Sequence, residues 1–416
     1  MNRFETKILN TAGDQNSDIF EAPVPPGFTA NPECWYGSNN SHGFAKRPPG
    51  TRSPLMAGML VAFLFTGLLA GCASLPPAPK NSCQRIPVGP GPEDFAMDFS
   101  RGSEMPRILV SSHERRNWER GEIYTVDLHK GKTPSAQILP RRGEPEGLFF
   151  SPHGMDIREV DGQPQLYIIN HGPDKEAGPH HILVYRIFPA HLQYVGSAAS
   201  EFFFSPNDLA IDAQGGFYVS NDARSRGSFI EMALSLSRSS VVFCTGESIR
   251  PGPLATAGES EENCILAAED LASANGVAIQ RKPDGQGDSG TVFVATSRGN
   301  NLYNFDREAN GELVKRKVLF EASILDNLFF ANNGAELIVA SHPSGLDFLR
   351  HLADGTVPSP SVIYSVNLED GNARTLYANS GEELSAASGA FVFQGDLYIS
   401  QVFEPFLLRC QISEEP

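Results

Sequence analysis

Glu93-Asp94, His153, Asn207-Asp208, Asn275 and Asp326-Asn327 share one setting: each leads into a short apolar run of β type. Carboxylate and amide oxygens are hard donors. A loose set of five or six of them suits calcium, which takes about six to eight oxygens, better than octahedral magnesium. Glu93 and Asp326 would balance a divalent ion, while Asn207, Asn275 and Asn327 add oxygens without charge. Asp94 and Asp208 point the other way, because successive side chains of an extended chain alternate, and can hold a second ion deeper in the fold. An ion held in this way keeps positions open for water and for a carbonyl or phosphoryl oxygen, which makes it a Lewis acid. The alternative is that Asn and Asp only start strands through side-chain turns. Five such places favour the metal, because burying carboxylates together is costly without a cation.

The elements that must bring these residues together repeat along the chain. One pattern recurs six times: a small polar or acidic residue, an apolar strand, a turn, and a second apolar strand. The copies begin near Glu93, Pro152, Pro206, Ala274, Leu325 and Ser388. With Asp94, Gly154, Asp208, Gly276, Asn327 and Gly389 as equivalent points, the steps run from 51 to 68 residues. A strand-only repeat of that size predicts one four-stranded sheet per copy. The fold expected is therefore an all-β, six-bladed β-propeller over 83–416. In a propeller the residue just before each innermost strand faces the channel mouth, so the five donor places converge. Phe229, Met232, Ala233 and Leu236 depart from the β pattern and follow helical spacing, which predicts a short helical lid at one end.

Composition narrows the function. The chain has 33 Lys+Arg against 49 Asp+Glu, a net charge of -16, which argues against nucleic acid, whose binding draws on Lys and Arg. No Cys-x-x-Cys or His-x-x-x-His spacing offers zinc a site. Gly287-Asp288-Ser289-Gly290 looks like a serine nucleophile turn, but it lies between two runs of one hairpin and reads as a turn. His180-His181 and His342 read as surface or loop residues. Of six cysteines, Cys34 lies in a polar leader and Cys72 at a lipidation motif. The remaining four suit an oxidising compartment. A Cys83–Cys410 bridge would join the first strand to the last. Cys244 and Cys264 bracket a Gly/Ser/Glu-rich insertion and form either a local bridge or two free thiols.

The runs Phe149-Phe150-Ser151-Pro152-His153-Gly154, Ile168-Ile169-Asn170-His171, Pro206-Asn207-Asp208, Ala274-Asn275-Gly276, Asp326-Asn327, Ser341-His342-Pro343-Ser344-Gly345 and Leu408-Arg409-Cys410 resemble, in place and order, those of the paraoxonase/arylesterase family. These are calcium-dependent lactonases built on a six-bladed propeller. The resemblance implies a catalytic calcium on Glu93, Asn207, Asn275, Asp326 and Asn327. It implies a structural calcium on Asp94, Asp208 and the Met155 carbonyl, a His153 general base assisted by His171, and ring closure by Cys83–Cys410. The substrate implied is a small lactone or aryl ester. Two departures stand out. The 244–264 insertion is foreign to the pattern, and Glu404 follows Phe403 where the family tends to have His; both are expected to alter the mouth. Rival readings are a sugar-lactone hydrolase or phosphotriesterase of the same superfamily, and a non-catalytic binding propeller anchored at an envelope.

Residues 1–54 are polar and aperiodic, as a disordered leader would be. Lys46, Arg47 and Arg52 precede an apolar run from Leu55 to Ala70 that ends in Leu69-Ala70-Gly71-Cys72. A basic flank, an apolar segment and small residues before a cut site describe an export signal, here over 55–71 and resembling the bacterial lipoprotein type. Cys72 would then carry lipid and hold the chain to a membrane surface in the periplasm or at the outer membrane. Residues 72–82 form a Pro-rich tether. An uncleaved membrane anchor is the alternative, although the run is shorter than the roughly 20 residues a spanning helix needs.

Overall fold

A computed structural model of the chain describes residues 75–79 and 82–412, apart from 103, 129–133, 174–177, 225–235, 260 and 283–286. The leader, the signal and Cys72 lie outside the described residues, as does most of the segment expected to form the helical lid. Among the described residues, no helix is long and apolar enough to cross a membrane.

Six antiparallel sheets follow one another around a ring, the expected six-bladed propeller. Blade 1 comprises Pro92–Asp98, Arg107–Ser112, Glu122–Asp127 and Ala136–Ile138; blade 2 comprises Pro152–Val160, Gln163–Asn170, His181–Phe188 and His191–Ala198. Blade 3 is built from Pro206–Ile211, Phe217–Asn221, Ser239–Cys244 and Cys264–Leu271, and blade 4 from Ala274–Arg281, Asp288–Thr296, Asn301–Arg307 and Leu313–Glu321. Blade 5 is Leu325–Ala331, Glu336–Ser341, Ser361–Asn367 and Ala373–Asn379. Blade 6 takes Ala387–Phe393, Asp396–Gln401 and Phe406–Gln411 from the C-terminal end and borrows its outer strand, Ser82–Pro87, from the other end. Blade 2 gains a fifth, two-residue strand, Arg141–Arg142, paired parallel to its edge.

In blades 1 and 5 the second strand is deeply buried because it is covered on both faces: Ile108, Leu109 and Val110, and Leu337, Ile338, Val339 and Ala340, are wholly enclosed. Such strands read as continuous apolar runs rather than alternating ones. Apolar clusters form between blades; Phe95 of blade 1 packs against Phe329 of blade 5 and Phe391 of blade 6 with ring centroids 4.7 and 4.9 Å apart.

Both cysteine bridges form. Cys83–Cys410 links directly opposed residues of the borrowed and native strands of blade 6, and Cys244–Cys264 links opposed residues of blade 3. The second bridge resolves the open alternative against free thiols. The insertion it brackets docks on the outer strand of blade 2, where Arg250 pairs with Ser197, and reaches His181, next to His180, through the Ala255 carbonyl oxygen. Cys244 ends a strand that runs parallel to the innermost strand, so the 244–264 connection leaves the ring at the end opposite to the Asn207 side chain.

At the mouth end the described residues contain one α-helix, α1 (Gly345–Ala353), which the sequence pattern did not predict. Ser344 caps it by accepting the Asp347 N–H at 3.2 Å, with Asp347 in the first turn and Arg350 and His351 in the last, the charge order that the helix dipole favours. Its inner face buries His351, and Phe348 packs on the His342 ring with centroids 4.7 Å apart.

Candidate metal centre and histidine relay

The five donor places occupy one register position, the entry to the innermost strand. Glu93, Asn207, Asp326 and Asn327 are buried and Asn275 is half-buried. Their hydrogen bonds leave a consistent remainder. Asn327 donates its amide N–H to Glu93 Oε1 at 3.2 Å, and Asn275 donates its own to Ser297 Oγ at 3.0 Å. Four oxygens of these groups, Glu93 Oε2, Asn207 Oδ1, Asn275 Oδ1 and Asn327 Oδ1, are buried acceptors without a hydrogen bond, Glu93 Oε2 having only the longer ion-pair contacts of His153 and Arg115. Buried polar atoms are nearly always paired, and four such acceptors from blades 1, 3, 4 and 5 fit a hard cation. The set is mixed in type: among the described residues no group of three His, Cys, Asp or Glu side chains is placed to hold a metal without the amides.

Electrostatics points the same way. Burial would raise the Glu93 carboxyl, but His153, Arg115 and the Asn327 amide together hold it below its usual range. Burial raises Asp326, against the opposing pull of His342. Burial also pushes Asp94 and Asp208 well above the usual carboxylate range, with the Asp208 and Glu93 charges adding to Asp94 and the Glu93 and Asp156 charges adding to Asp208. Four acids this close and this dry cannot all be ionised without positive charge among them.

Asp94 and Asp208 sit deeper, as strand alternation requires. Asp94 accepts the Phe95 N–H at 2.8 Å and, across the blade boundary, the Met155 N–H at 2.7 Å. Asp208 accepts the Leu209 N–H at 2.7 Å and the Val277 N–H of the next blade at 2.8 Å. Met155 therefore adjoins Asp94 through its main chain. Gly154 and Gly276 allow this close approach. A Cβ on Gly154 would lie 2.5 Å from the Asn207 carbonyl oxygen and from Asp208 Cα; one on Gly276 would lie 2.6 Å from the Asp326 carbonyl oxygen. Acid or amide thus alternates with glycine around the ring.

A second sixfold position surrounds the first. The residue after each second strand donates its N–H to the residue just before or near the start of the first: His113 to Gly91, His171 to Ser151, Asp222 to Ser205, Ser297 to Ser273, His342 to Ile324 and Val402 to Ala386. From this position three side chains fix the donor of their own blade. His171 Nε2 lies 2.7 Å from His153 Nδ1, Ser297 Oγ receives the Asn275 amide, and His342 Nε2 lies 2.9 Å from Asp326 Oδ2. His342 is buried, so the surface reading of it was wrong; it is a supporting partner of the ring. His181 is buried too, with Nε2 3.1 Å from the Ala255 carbonyl oxygen. His180 meets His171, Nδ1 to Nδ1 at 3.3 Å. These placements come from the turn after a strand, where periodicity carries no signal; the recurrence of His or Ser at one register point is the signal that would have revealed them. Ser289 donates to Gln280 at 2.9 Å and Asp288 pairs with Arg158 at 2.8 Å, so the Gly-Asp-Ser-Gly run is hairpin, as read.

Glu404 lies at the mouth. With Arg116 and His351 it forms a cluster: Arg116 Nη2 lies 3.3 Å from Glu404 Oε1 and 3.0 Å from the His351 carbonyl oxygen, and the guanidinium sits 4.2 Å from the centre of the Phe403 ring. These contacts tie α1 to blades 1 and 6.

The chain matches the Arylesterase family over residues 92–412. It is 27% identical to serum paraoxonase/lactonase 3 of Homo sapiens over 304 residues, 71% of this chain and 77% of the relative. It is 26% identical to serum paraoxonase/arylesterase 1 of Mus musculus, covering 74% and 81%, and 25% identical to serum paraoxonase/arylesterase 2 of Homo sapiens, covering 76% and 82%.

Proposed function

From the premise that the chain belongs to the arylesterase family, a family of ester and lactone hydrolases, we propose that it is a calcium-dependent lactonase with accompanying aryl-ester hydrolase activity. The observation that carries this reading is the set of four buried oxygens without a hydrogen bond on Glu93, Asn207, Asn275 and Asn327, which with Asp326 would hold the catalytic calcium. Bound there, the ion would supply Lewis-acid polarisation of the ester carbonyl and stabilisation of its oxyanion. Asp94, Asp208 and the Met155 carbonyl would hold a second, structural calcium below it.

His153 is the general base in this reading. Its Nε2 faces the ring, 3.5 Å from Glu93 Oε2, while its Nδ1 meets His171. A water proton taken at Nε2 leaves Nδ1–H donating to His171 Nε2, which spreads the positive charge over two imidazoles. His171 orients His153 and shares its proton.

Chelation of divalent metal should abolish hydrolysis of a γ- or δ-lactone by the purified protein, and calcium should restore it. Hydrolysis that persists in chelator would refute the calcium reading. Export and lipidation at Cys72 form part of the same proposal, supported by the Leu-Ala-Gly-Cys sequence and by two bridges suited to an oxidising compartment. Mass spectrometry of the envelope fraction tests it: an unmodified Cys72 would exclude the anchor.

A further inference from the structure

Two neighbouring arginines rise from the blade 1 connection at the mouth, and their surroundings differ. Arg116 is saturated, with Glu404, the His351 and Leu352 carbonyls and the Phe403 ring all about its guanidinium. Arg115 turns inward and its side chain is 10% exposed. Its Nε and Nη2 are buried and make no hydrogen bond. The nearest acid oxygen is Glu93 Oε2, 3.6 Å from Nη2, an ion-pair separation beyond hydrogen-bond reach. Glu114, beside it in sequence, is already engaged, accepting the Arg116 and Asn117 main-chain N–H groups.

A guanidinium so placed is a planar fork of donors with no planar acceptor, and the group that matches it is a carboxylate. Resting on the reading that the ring holds a cation, Glu93 is then committed to that ion, which leaves the Arg115 charge over. We infer that Arg115 is a specificity-determining residue that seats a carboxylate beside the metal ring. That carboxylate has two sources. A substrate can carry one alongside its lactone or ester. Hydrolysis also makes one: water adds across the acyl C–O bond, the ring or alkoxy oxygen leaves as a hydroxyl, and the acid formed loses a proton at neutral pH.

Calorimetric titration of the calcium-loaded full chain with 4-hydroxybutyrate, against butane-1,4-diol as the uncharged probe, tests the seat directly. Binding of 4-hydroxybutyrate should weaken at least tenfold in Arg115→Gln and by less in Arg115→Lys, which keeps the charge beside Glu93 and guards against loss of fold; the diol should bind all three alike. Kinetics then separates the sources. If the substrate supplies the carboxylate, Arg115→Gln raises KM at least tenfold for a γ-lactone bearing a ring carboxylate but not for γ-butyrolactone. If the product supplies it, both KM values hold and inhibition by 4-hydroxybutyrate is relieved. Equal binding of 4-hydroxybutyrate by wild type and both variants, or none by wild type, overturns the inference. Arg115-dependent binding by a protein that hydrolyses no lactone would instead remove the enzymatic reading and leave the seat standing.

Discussion

Gly276→Ala probes whether blade-to-blade contact sets the donor ring. The added Cβ would meet the Asp326 carbonyl oxygen at 2.6 Å, and Asn327 Cα and Leu328 Cγ at 2.9 Å. Relief to an ordinary contact of 3.4 Å needs a displacement of about 0.8 Å, and two of the three obstacles are main chain, which has no rotamer to yield. The strand that must move carries two of the five proposed ligands. Overpacking of this kind costs about 1–3 kcal/mol, a fall in Tm of roughly 2–10 °C. Misplacement of reacting groups by about 1 Å costs on the order of a hundredfold in rate. Calcium titration, thermal unfolding and lactone hydrolysis are measured on Gly276→Ala beside Gly258→Ala. An added Cβ at Gly258 meets nothing within 4 Å, so that variant should behave as wild type. Gly276→Ala should lose calcium affinity and activity together. If the two variants are indistinguishable, strand approach does not position the ligands and the account of the ring fails.

His153→Gln should lower lactone hydrolysis at least about tenfold with calcium content kept; unchanged rates would remove His153 from the chemistry. Removing the Asp326 partner by His342→Ala should weaken calcium binding more than Gln replacement does, as the contact partner of a ligand would, with isothermal titration as the measure; equal affinities would make His342 a packing residue only. For the calcium-free protein, Asp94 and Asp208 titrate well above their usual value of 3.8 because of burial and the charges of neighbouring carboxylates. A carboxyl raised in the folded state is more protonated there than in the unfolded chain, so the stability of that form falls as pH rises from 3.8 through the raised values. The Tm gained on adding calcium should therefore grow over that interval, and a gain independent of pH would contradict it. Replacing both Cys83 and Cys410 by Ala opens a closure spanning 327 residues and should cost up to about 5 kcal/mol, seen as a lower denaturant midpoint; an unchanged midpoint would show the borrowed strand to be held by pairing alone.

The repeat was legible because propellers write their geometry locally: Pro206-Asn207-Asp208 and Ala274-Asn275-Gly276 carry ligand, turn and strand within a few residues. The ring of donors followed from that register alone. His342 escaped because its value depends on what Asp326 needs across a blade, and Ser341-His342-Pro343-Ser344-Gly345 looks like any turn. Helix α1 escaped for a related reason. Its capping Ser344 and Asp347 were in view, but nine residues inside a β repeat offer too short a periodic stretch to stand out. The path of the 244–264 insertion was not legible, because no periodicity marks where Arg250 and Ala255 dock on blade 2.

The hydroxyls of Ser388 and Ser400 both donate to the carbonyl oxygen of Glu93, from residues 295 and 307 positions further along the chain. The earliest ligand is thus seated by the blade translated last, and that blade in turn waits for Ser82–Pro87 as its outer strand. A ribosome-bound fragment that lacks the last blade has its acids in hand but not the two hydroxyls that seat the main chain of the first. If the ring holds calcium as proposed, ion capture would be a property of the finished polypeptide, and a partly made chain would be spared from trapping metal in a half-built cage.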